Sequence, residues 1–467
     1  MSVIEQVVPE GYKQTDVGII PIDWKVSKLG NIGKFKNGIN KDADSFGHGL
    51  PFINLMDVFG KPHISGNENL GLINSTEIER KEYNVKKSDV LFIRSSVKPT
   101  GVGLTSVALQ DLRDSVYSGF LIRYRSNDDL TTDFKRHCFY DSGFRNRLIA
   151  ASTVSANTNI NQDALKELQV AYPSNTEEQT AIANALSDVD ALLTELEKLI
   201  AKKQAIKTAT MQQLLTGKTR LPQFAFYSKE SAEVATYTEG AVEGKSQGQP
   251  KGTKPSELGE IPEDWDVILL NDISVISRLA GAEYTSFWKE EPTGEIIALR
   301  GFNIGQNKII NRELTRISNS LSMKLKRSRL TKGDVIYPCV GSIGNAAVIH
   351  DDKKYHIQQN IARITPSKSK LNSEFLCFYL MSELATKEVE RFTATTSQPS
   401  VLVSSLRQYR LPIPKCIEEQ TAIATILSDM DNEIQTLEQR LTKTRQIKQG
   451  MMQQLLTGRT RLPFNKE

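Results

Sequence analysis

The sequence predicts an α+β protein written as one unit twice: two pseudo-repeated globular bodies separated by two long antiparallel helices that form a coiled coil. Three observations carry this prediction. The segment from Pro173 to Pro222 returns without a gap as Pro414 to Pro463, and roughly half of the aligned positions are identical, far above chance for such a window. At the same offset, Gly18-Ile19-Ile20-Pro21-Ile22-Asp23-Trp24 corresponds to Gly259-Glu260-Ile261-Pro262-Glu263-Asp264-Trp265. Both long segments place apolar residues at alternating intervals of four and three, the seam of a coiled coil.

The first body is expected over residues 1–172. It opens on an Ile-Pro-x-x-Trp turn whose Trp24 reads as a core anchor. Short apolar runs follow, Pro51-Phe52-Ile53-Asn54-Leu55 and Asp89-Val90-Leu91-Phe92-Ile93. These read as strands, and a mixture of short strands with a few helices indicates an α+β body. The first helical region, 173–222, carries the seam Ile182, Leu186, Val189, Leu193, Leu196 and Ile200. Thr176 with Gln179 three residues on reads as a capping box at its start, and Gly217 as a left-handed C-cap at its end. Such a helix has about 39 residues, or ~58 Å at 1.5 Å per residue. A stripe of that length needs a partner of similar length, and the nearest is the other copy. Lys198, Lys202, Lys203 and Lys207 read as a solvated outer face.

Residues 223–254 are rich in Ser, Gly, Glu, Lys and Gln and read as a flexible linker. The second body, 255–413, repeats the plan with Trp265 and with strand-like runs Ile296-Ile297-Ala298-Leu299-Arg300 and Asp334-Val335-Ile336-Tyr337. The second helical region, 414–467, carries Ile423, Leu427, Met430, Ile434, Leu437 and Leu441 on its seam, with Arg440, Lys443, Arg445 and Lys448 read as its outer face. Here Ile417 replaces the capping threonine, and Gly458 repeats the C-cap. Between their matching landmarks the two bodies share little sequence, so they read as one scaffold with two different surfaces.

Composition bounds the function without deciding it. A chain of 467 residues with 39% hydrophobic and 24% charged residues is an ordinary soluble protein with room for two or three domains. No apolar run approaches the ~20 residues of a membrane span, and Met1 to Glu10 lacks the basic start and apolar core of a signal peptide. The expectation is a cytoplasmic protein with no membrane association. Cys138, Cys339, Cys377 and Cys416 show no CxxC spacing, as reduced thiols would. A net charge of +4 permits nucleic-acid binding and does not demonstrate it.

No catalytic or metal-binding constellation emerges. Thr216-Gly217-Lys218-Thr219 resembles the end of a phosphate loop, but Gln212 stands where the earlier glycine is required. Gly101-Val102-Gly103 lacks the third glycine of a dinucleotide fingerprint, since Ser106 holds that place. The histidines at 48, 63, 137, 350 and 356 do not combine with cysteines or carboxylates at metal-ligand spacing. The bodies carry hydrogen-bonding loops instead. In the first, Arg94-Ser95-Ser96-Val97-Lys98 follows a strand, and Ser152 to Asn159 precedes the helix. In the second, Gly341-Ser342-Ile343-Gly344-Asn345 and Thr393 to Ser400 occupy the matching places. Arg, Asn and Gln can make paired hydrogen bonds to base edges, whereas Ser, Thr, Lys and backbone N–H groups hold phosphates. The candidate DNA contacts are Arg94, Ser95, Lys98, Asn157 and Asn159 in the first body and Arg300, Ser342, Asn345, Gln358 and Gln398 in the second. Each loop taken singly also reads as a solvated turn; occurrence in both bodies brings binding level with that reading.

With these features assembled, the chain resembles the specificity subunit of type I restriction-modification systems. The residues that carry the resemblance are the Ile-Pro-x-x-Trp opening of each half, the Pro-rich approach to Glu178-Gln179 and Glu419-Gln420, and the long helices ending in Leu-Leu-Thr-Gly. It covers essentially the whole chain. It implies two target-recognition domains, each reading one half of a split double-stranded DNA sequence, with the helices as a ruler between them. It also implies two methyltransferase subunits using S-adenosylmethionine on adenine, and restriction subunits using ATP and Mg. This chain itself would have no cofactor and no catalytic role. The rival readings are an enzyme in its own right, a coiled-coil adaptor without sequence readout, and the specificity subunit of a related system with fused cutting and methylating activities.

Overall fold

The computed structural model describes residues 8–227, 249–392 and 400–463. Among them no helix is long and apolar enough to cross a membrane. The chain divides into two compact units, residues 1–198 with 439–467, and residues 199–438. The division cuts each long helix near its middle rather than at its end, so each unit holds one body, the start of one helix and the end of the other.

In the first unit a hairpin of Tyr12–Thr15 and Gly18–Pro21 leads into Trp24–Lys28, which pairs antiparallel with Gln169–Pro173 just before the first helix. The central sheet runs in the order Gly33–Asn37, Leu121–Ser126, Val90–Ile93, Thr105–Ala108, His63–Ile64. A three-stranded sheet places Phe46–Ile53 between Val116–Tyr117 and Gly71–Ile73. The core gathers Trp24, Phe92, Tyr124, Phe134, Phe139 and Phe144 with Ile182 and Leu186 from the first long helix. Leu455 and Leu456, from the far end of the second long helix, complete it.

The second unit repeats the plan. Thr253–Ser256 pairs with Gly259–Pro262, and Trp265–Leu269 with Arg410–Pro414. Its main sheet runs Ser274–Ser277, Ile361–Pro366, Val335–Pro338, Ala347–Val348, beside a sheet of Thr315–Ile317, Ile296–Leu299 and Tyr355–Ile357. Trp265, Tyr337, Phe375, Phe378 and Tyr379 form its core with Ile423 and Leu427, and Leu214 and Leu215 from the end of the first long helix close it. The expectation that both tryptophans anchor cores holds, since neither is more than 1% exposed.

The repeated motifs turn out to be parts of one device. In the first unit Arg461 donates to both carboxylate oxygens of Asp23 at 2.9 and 2.8 Å and to Glu178 at 2.8 Å, while Trp24 Nε1 donates to Glu178 at 3.4 Å. In the second, Arg220 donates to Asp264 at 2.8 and 3.1 Å and to Glu419 at 2.8 and 2.9 Å. Thus the Thr-Arg-Leu-Pro tail of one helix clamps the Ile-Pro-x-x-Trp turn to the first turn of the other. Hydrogen bonding to Asp23 holds Arg461 above the ordinary arginine range. Gly217 and Gly458 adopt φ of +69° and +70°, and a Cβ on either would overlap the ring of Pro262 or Pro21. Glycine is therefore required for both conformation and contact.

The long helices span Thr176–Leu215 and Ile417–Leu455, close to the predicted length. Their start differs from the expected capping box. Asn175 is the cap, its Oδ1 accepting from Glu177 N at 2.7 Å. Gln179 turns inward instead, accepting from Thr131 N at 2.8 Å and donating to the carbonyls of Asp129 and Pro173 at 2.8 and 3.0 Å. Gln420 does the same with Asn372, Lys370 and Pro414. A fully buried amide tying down three backbone groups answers the rule that enclosed polar groups must be satisfied, and it accounts for the repeated Glu-Gln pair.

Within each unit the two helices run antiparallel, and several cations read as solvated lie between them. Lys207 is nearly buried, bonds Asp431 and lies 5.4 Å from the Phe378 ring. Lys203 pairs with Glu433 at 2.7 Å. In the first unit Lys448 pairs with Asp190 and Arg445 with Glu197. Lys198 bonds Glu195 on its own helix. The linker expectation also changes at its flanks: Phe226 bridges to Pro250, and Lys251 N donates to Ala225 O at 2.9 Å. Its middle, 228–248, lies outside the described residues.

His137 occupies, in the first unit, the place of Phe378 in the second. The two positions are fixed by the equivalent bonds of Thr131 to Gln179 and Asn372 to Gln420. Burial pushes the imidazole down to about 4, aided by Arg136 and Lys448 and opposed by Asp190 and Asp133, and its Nε2 meets Ser187 Oγ at 3.1 Å. A folded-state pKa below that of the unfolded chain gives stability that is complete above about pH 6.5 and lost as pH falls toward 4. Between pH 7.5 and 5.5 the first unit should lose about 1.4 kcal/mol through this group. Urea titrations at the two pH values should show the loss reduced by that amount in His137→Phe; an identical pH slope in variant and wild type would assign the effect elsewhere.

Candidate nucleic-acid interface

At one end of the first unit's central sheet, where Val90–Ile93 finishes and Leu121–Ser126 begins, four backbone segments lie side by side. Arg94 N donates to Phe120 O at 2.8 Å, and Ile160 N donates to Arg94 O at 2.9 Å. Ser95–Ser96 then pairs with Thr158–Asn159, which pairs in turn with Thr153–Val154. The two polar loops singled out from sequence thus become one small sheet that brings Arg94, Ser95 and Asn159 together. Asn157 sits in its turn, where its carbonyl accepts from Asn159 Nδ2 at 3.0 Å. Lys98 lies at the tip, just before the 3-10 turn Pro99–Gly101. Arg145 holds the base of this loop by donating to Thr100 O and Val102 O at 3.0 and 2.7 Å.

Two further segments reach the same end. Ser118 N donates to Ile53 O at 2.9 Å, which brings in Asn54, and Gly119 N donates to Ile39 O at 2.8 Å, which brings in Asn40. A Cβ on Gly119 would strike the Asn40 amide, so the close approach requires glycine. The charge of this end is one-sided. Neither Arg94 nor Lys98 has a hydrogen-bonding or ionic side-chain partner among the described residues. Across 37–40, 54–59, 94–100, 118–120 and 152–159 the lone carboxylate is Asp57, and it is occupied in capping Asn54 N at 2.8 Å. Unpaired cations among amides and hydroxyls suit a polyanion whose edges carry donors and acceptors.

The second unit builds the same frame from different side chains. Cys339 N donates to Asn360 O at 2.7 Å, and Val401 N to Cys339 O at 2.8 Å. Val340 bridges to Ser400, and Gln358 N donates to Leu299 O at 2.9 Å. Bond for bond, Arg94 is replaced by Cys339, Phe120 by Asn360, Asn159 by Ser400, Ser118 by Gln358 and Asn54 by Arg300. Arg300, Ser342, Asn345 and Gln358 are therefore gathered at one end, as their sequence neighbours are in the first unit.

Several of these residues are less free than the sequence implied. Arg300 shares its guanidinium with Glu290 at 3.1 Å. Asn345 donates through Nδ2 to Ile304 O at 3.0 Å, which uses its amide to hold the adjoining turn. The amide nitrogen of Gln358 is enclosed in protein without a hydrogen-bond partner. Ser342 contributes backbone bonds to Val340 and Asn345 that shape its loop. Gln398 lies outside the described residues. Asn40, Asn54, Ser118 and Phe120 in the first unit, and Asn360 in the second, reach the same ends and carried no local signal. Their place follows only from strand pairing. Asn360 at φ +62° takes a left-handed turn that asparagine tolerates. Among the described residues no group of His, Cys, Asp and Glu side chains could hold a metal ion.

Comparison with known proteins points the same way. The family model for the type I restriction modification DNA specificity domain matches twice, at residues 21–208 and 262–448. The MjaVIII specificity subunit of Methanocaldococcus jannaschii is 23% identical over 97% of this chain and 96% of its own length. The EcoBI specificity subunit of Escherichia coli is 25% identical over 49% of this chain and 48% of its own. The S subunit of a type I restriction-modification system from M. genitalium shares the fold with a TM-score of 0.53 at 16% identity, covering 93% of this chain and 96% of that one.

Proposed function

Because the chain belongs to the family of type I restriction-modification DNA specificity subunits, we propose that each of its bodies reads one half of a two-part double-stranded DNA target through the sheet end described above. It is a non-catalytic subunit with two repeated recognition domains. In this reading the helices set the distance between the half-sites and dock two methyltransferase subunits. Those subunits use S-adenosylmethionine to methylate adenine. Restriction subunits using ATP and Mg join the same assembly in the cytoplasm. The first long helix leaves Leu192, Leu199 and Ile206 exposed at heptad intervals, an apolar stripe suited to a partner helix.

The observation that carries the reading is the repeated hydrogen-bond frame with exchanged side chains. A frame kept for folding alone gives no reason to exchange Arg94 for Cys339 or Phe120 for Asn360, whereas two readers of different sequences need such exchanges. Replacing residues 11–171 with those of a family relative tests it. The methylation motif, mapped in cells carrying the chimera and its methyltransferase, is expected to change in one half and keep the other. Change in both halves, or in neither, overturns the assignment.

A further inference from the structure

The reading end of the first unit leaves large apolar side chains in the open. Phe120 is 58% exposed, Met56 68%, Val97 81% and Val154 75%. Exposed apolar groups clustered within one site mark a contact surface. The backbone under Phe120 is fixed by hydrogen bonds. Phe120 N donates to Ser118 Oγ at 3.3 Å, Leu121 N donates to Ser118 O at 2.8 Å, and Phe120 O accepts from Arg94 N at 2.8 Å. With Ser118 and Gly119 bonded to Ile53 and Ile39, every residue of the turn is tied to a neighbouring strand or loop. The ring itself has no aromatic partner among the described residues.

We propose that Phe120 reads thymine, through its C5 methyl group, in the half of the DNA target assigned to the first body. The inference rests on the DNA-reading role proposed above and names one specificity-determining residue within it. The surroundings favour nucleic acid over a protein partner: Arg94 is bonded through its backbone to Phe120 O, Lys98 follows in the Arg94 loop, and neither cation has a side-chain partner among the described residues. The one carboxylate within the segments forming this end, Asp57, is turned into its own helix cap. Of the groups the four bases present in the major groove, the thymine methyl alone is apolar. A phenyl ring carried on a fixed backbone can remove that methyl from water. At the matching place the second unit carries Asn360, whose amide offers hydrogen bonds in place of an apolar contact.

The test uses the full chain assembled with its methyltransferase subunits, after methylome mapping and the body exchange have identified the first half-site. Competition binding compares duplexes carrying thymine or deoxyuridine at each thymine of that half-site, since deoxyuridine differs only by the missing methyl. At one position the wild type is expected to lose about fourfold in affinity, whereas Phe120→Ala binds the two duplexes equally. Phe120→Leu, which keeps an apolar group on the same backbone, should retain about twofold discrimination. An equal thymine preference in wild type and Phe120→Ala overturns the proposal, as does a first half-site with no thymine on either strand. A wild-type assembly with no preference for the first half-site at all would instead overturn the DNA-reading role on which the proposal rests.

Discussion

Arg220→Ala is expected to cost the second unit about 3–5 kcal/mol, because it leaves Glu419 buried without its cation. The Glu419 side chain is 3% exposed and Arg220 11%, so little water can replace the lost bonds. The guanidinium also closes on Asp264 and lies 5.8 Å from the Trp265 ring, so its loss frees the Ile-Pro-x-x-Trp turn from both helices together. Burial holds the Glu419 carboxyl above the usual carboxylate range even with Arg220 present. A raised folded-state pKa gives stability that is present below the unfolded value and lost as pH rises. The deficit of the variant should therefore be largest near pH 7 and shrink toward pH 4. Urea titration followed by tryptophan fluorescence measures it, and Arg220→Ala combined with Glu419→Gln should recover part of the loss. A deficit below about 1 kcal/mol would show that the clamp adds little net stability, and one that grows on acidification would show that the buried Glu419 is not its cause.

The second large effect is on target geometry. Inserting four residues after Leu196 and four more after Leu441, nearly opposite in the antiparallel pair, should lengthen both helices by ~6 Å and turn their far parts by roughly 40°. With DNA rising ~3.4 Å per base pair, the preferred gap between half-sites should widen by one or two base pairs while both half-site sequences stay as they were. An insertion in the first helix alone should fail to fold, since each helix is clamped at both ends and a single insertion makes the pair unequal. Methylome mapping reads the outcome; an active double insertion with an unchanged gap would exclude spacing by the helices.

Much of this architecture was legible because the clamp is made of short motifs at fixed offsets. The repeat of Trp24, Glu178 and Gly217 as Trp265, Glu419 and Gly458 announced two units and two helices. What each motif holds could not be read, since Arg220 meets a carboxylate 199 positions away and Arg461 one 438 positions away. Lys203 and Lys207 were misread because charge suggested solvent, yet they continue the three-four spacing beyond Ile200 and so fall on the seam. The polar loops stood out by composition, and only strand pairing shows that they lie side by side. Phe120 escaped notice because Gly119-Phe120-Leu121-Ile122 looks like the start of a core strand, and in sequence nothing separates the exposed first residue from the buried ones after it. Nor could sequence show that the donors of Asn345 and Arg300 are engaged by Ile304 O and Glu290, which it does not place beside them.

The crossed clamp also orders events during synthesis. Leu455, Leu456 and Arg461, which complete the first unit, leave the ribosome only after the whole second body has been made. At about 5–20 residues per second, the first body waits roughly a quarter of a minute to a minute, with the sites for Leu455 and Arg461 unfilled, before its own final helix turn exists. The second unit waits hardly at all, because Leu214, Leu215 and Arg220 have already emerged when its body is made. Vectorial folding therefore runs from the second unit to the first. A nascent chain cut short within its last turn of helix presents an open apolar socket around Trp24, the kind of surface that chaperones and proteases recognise.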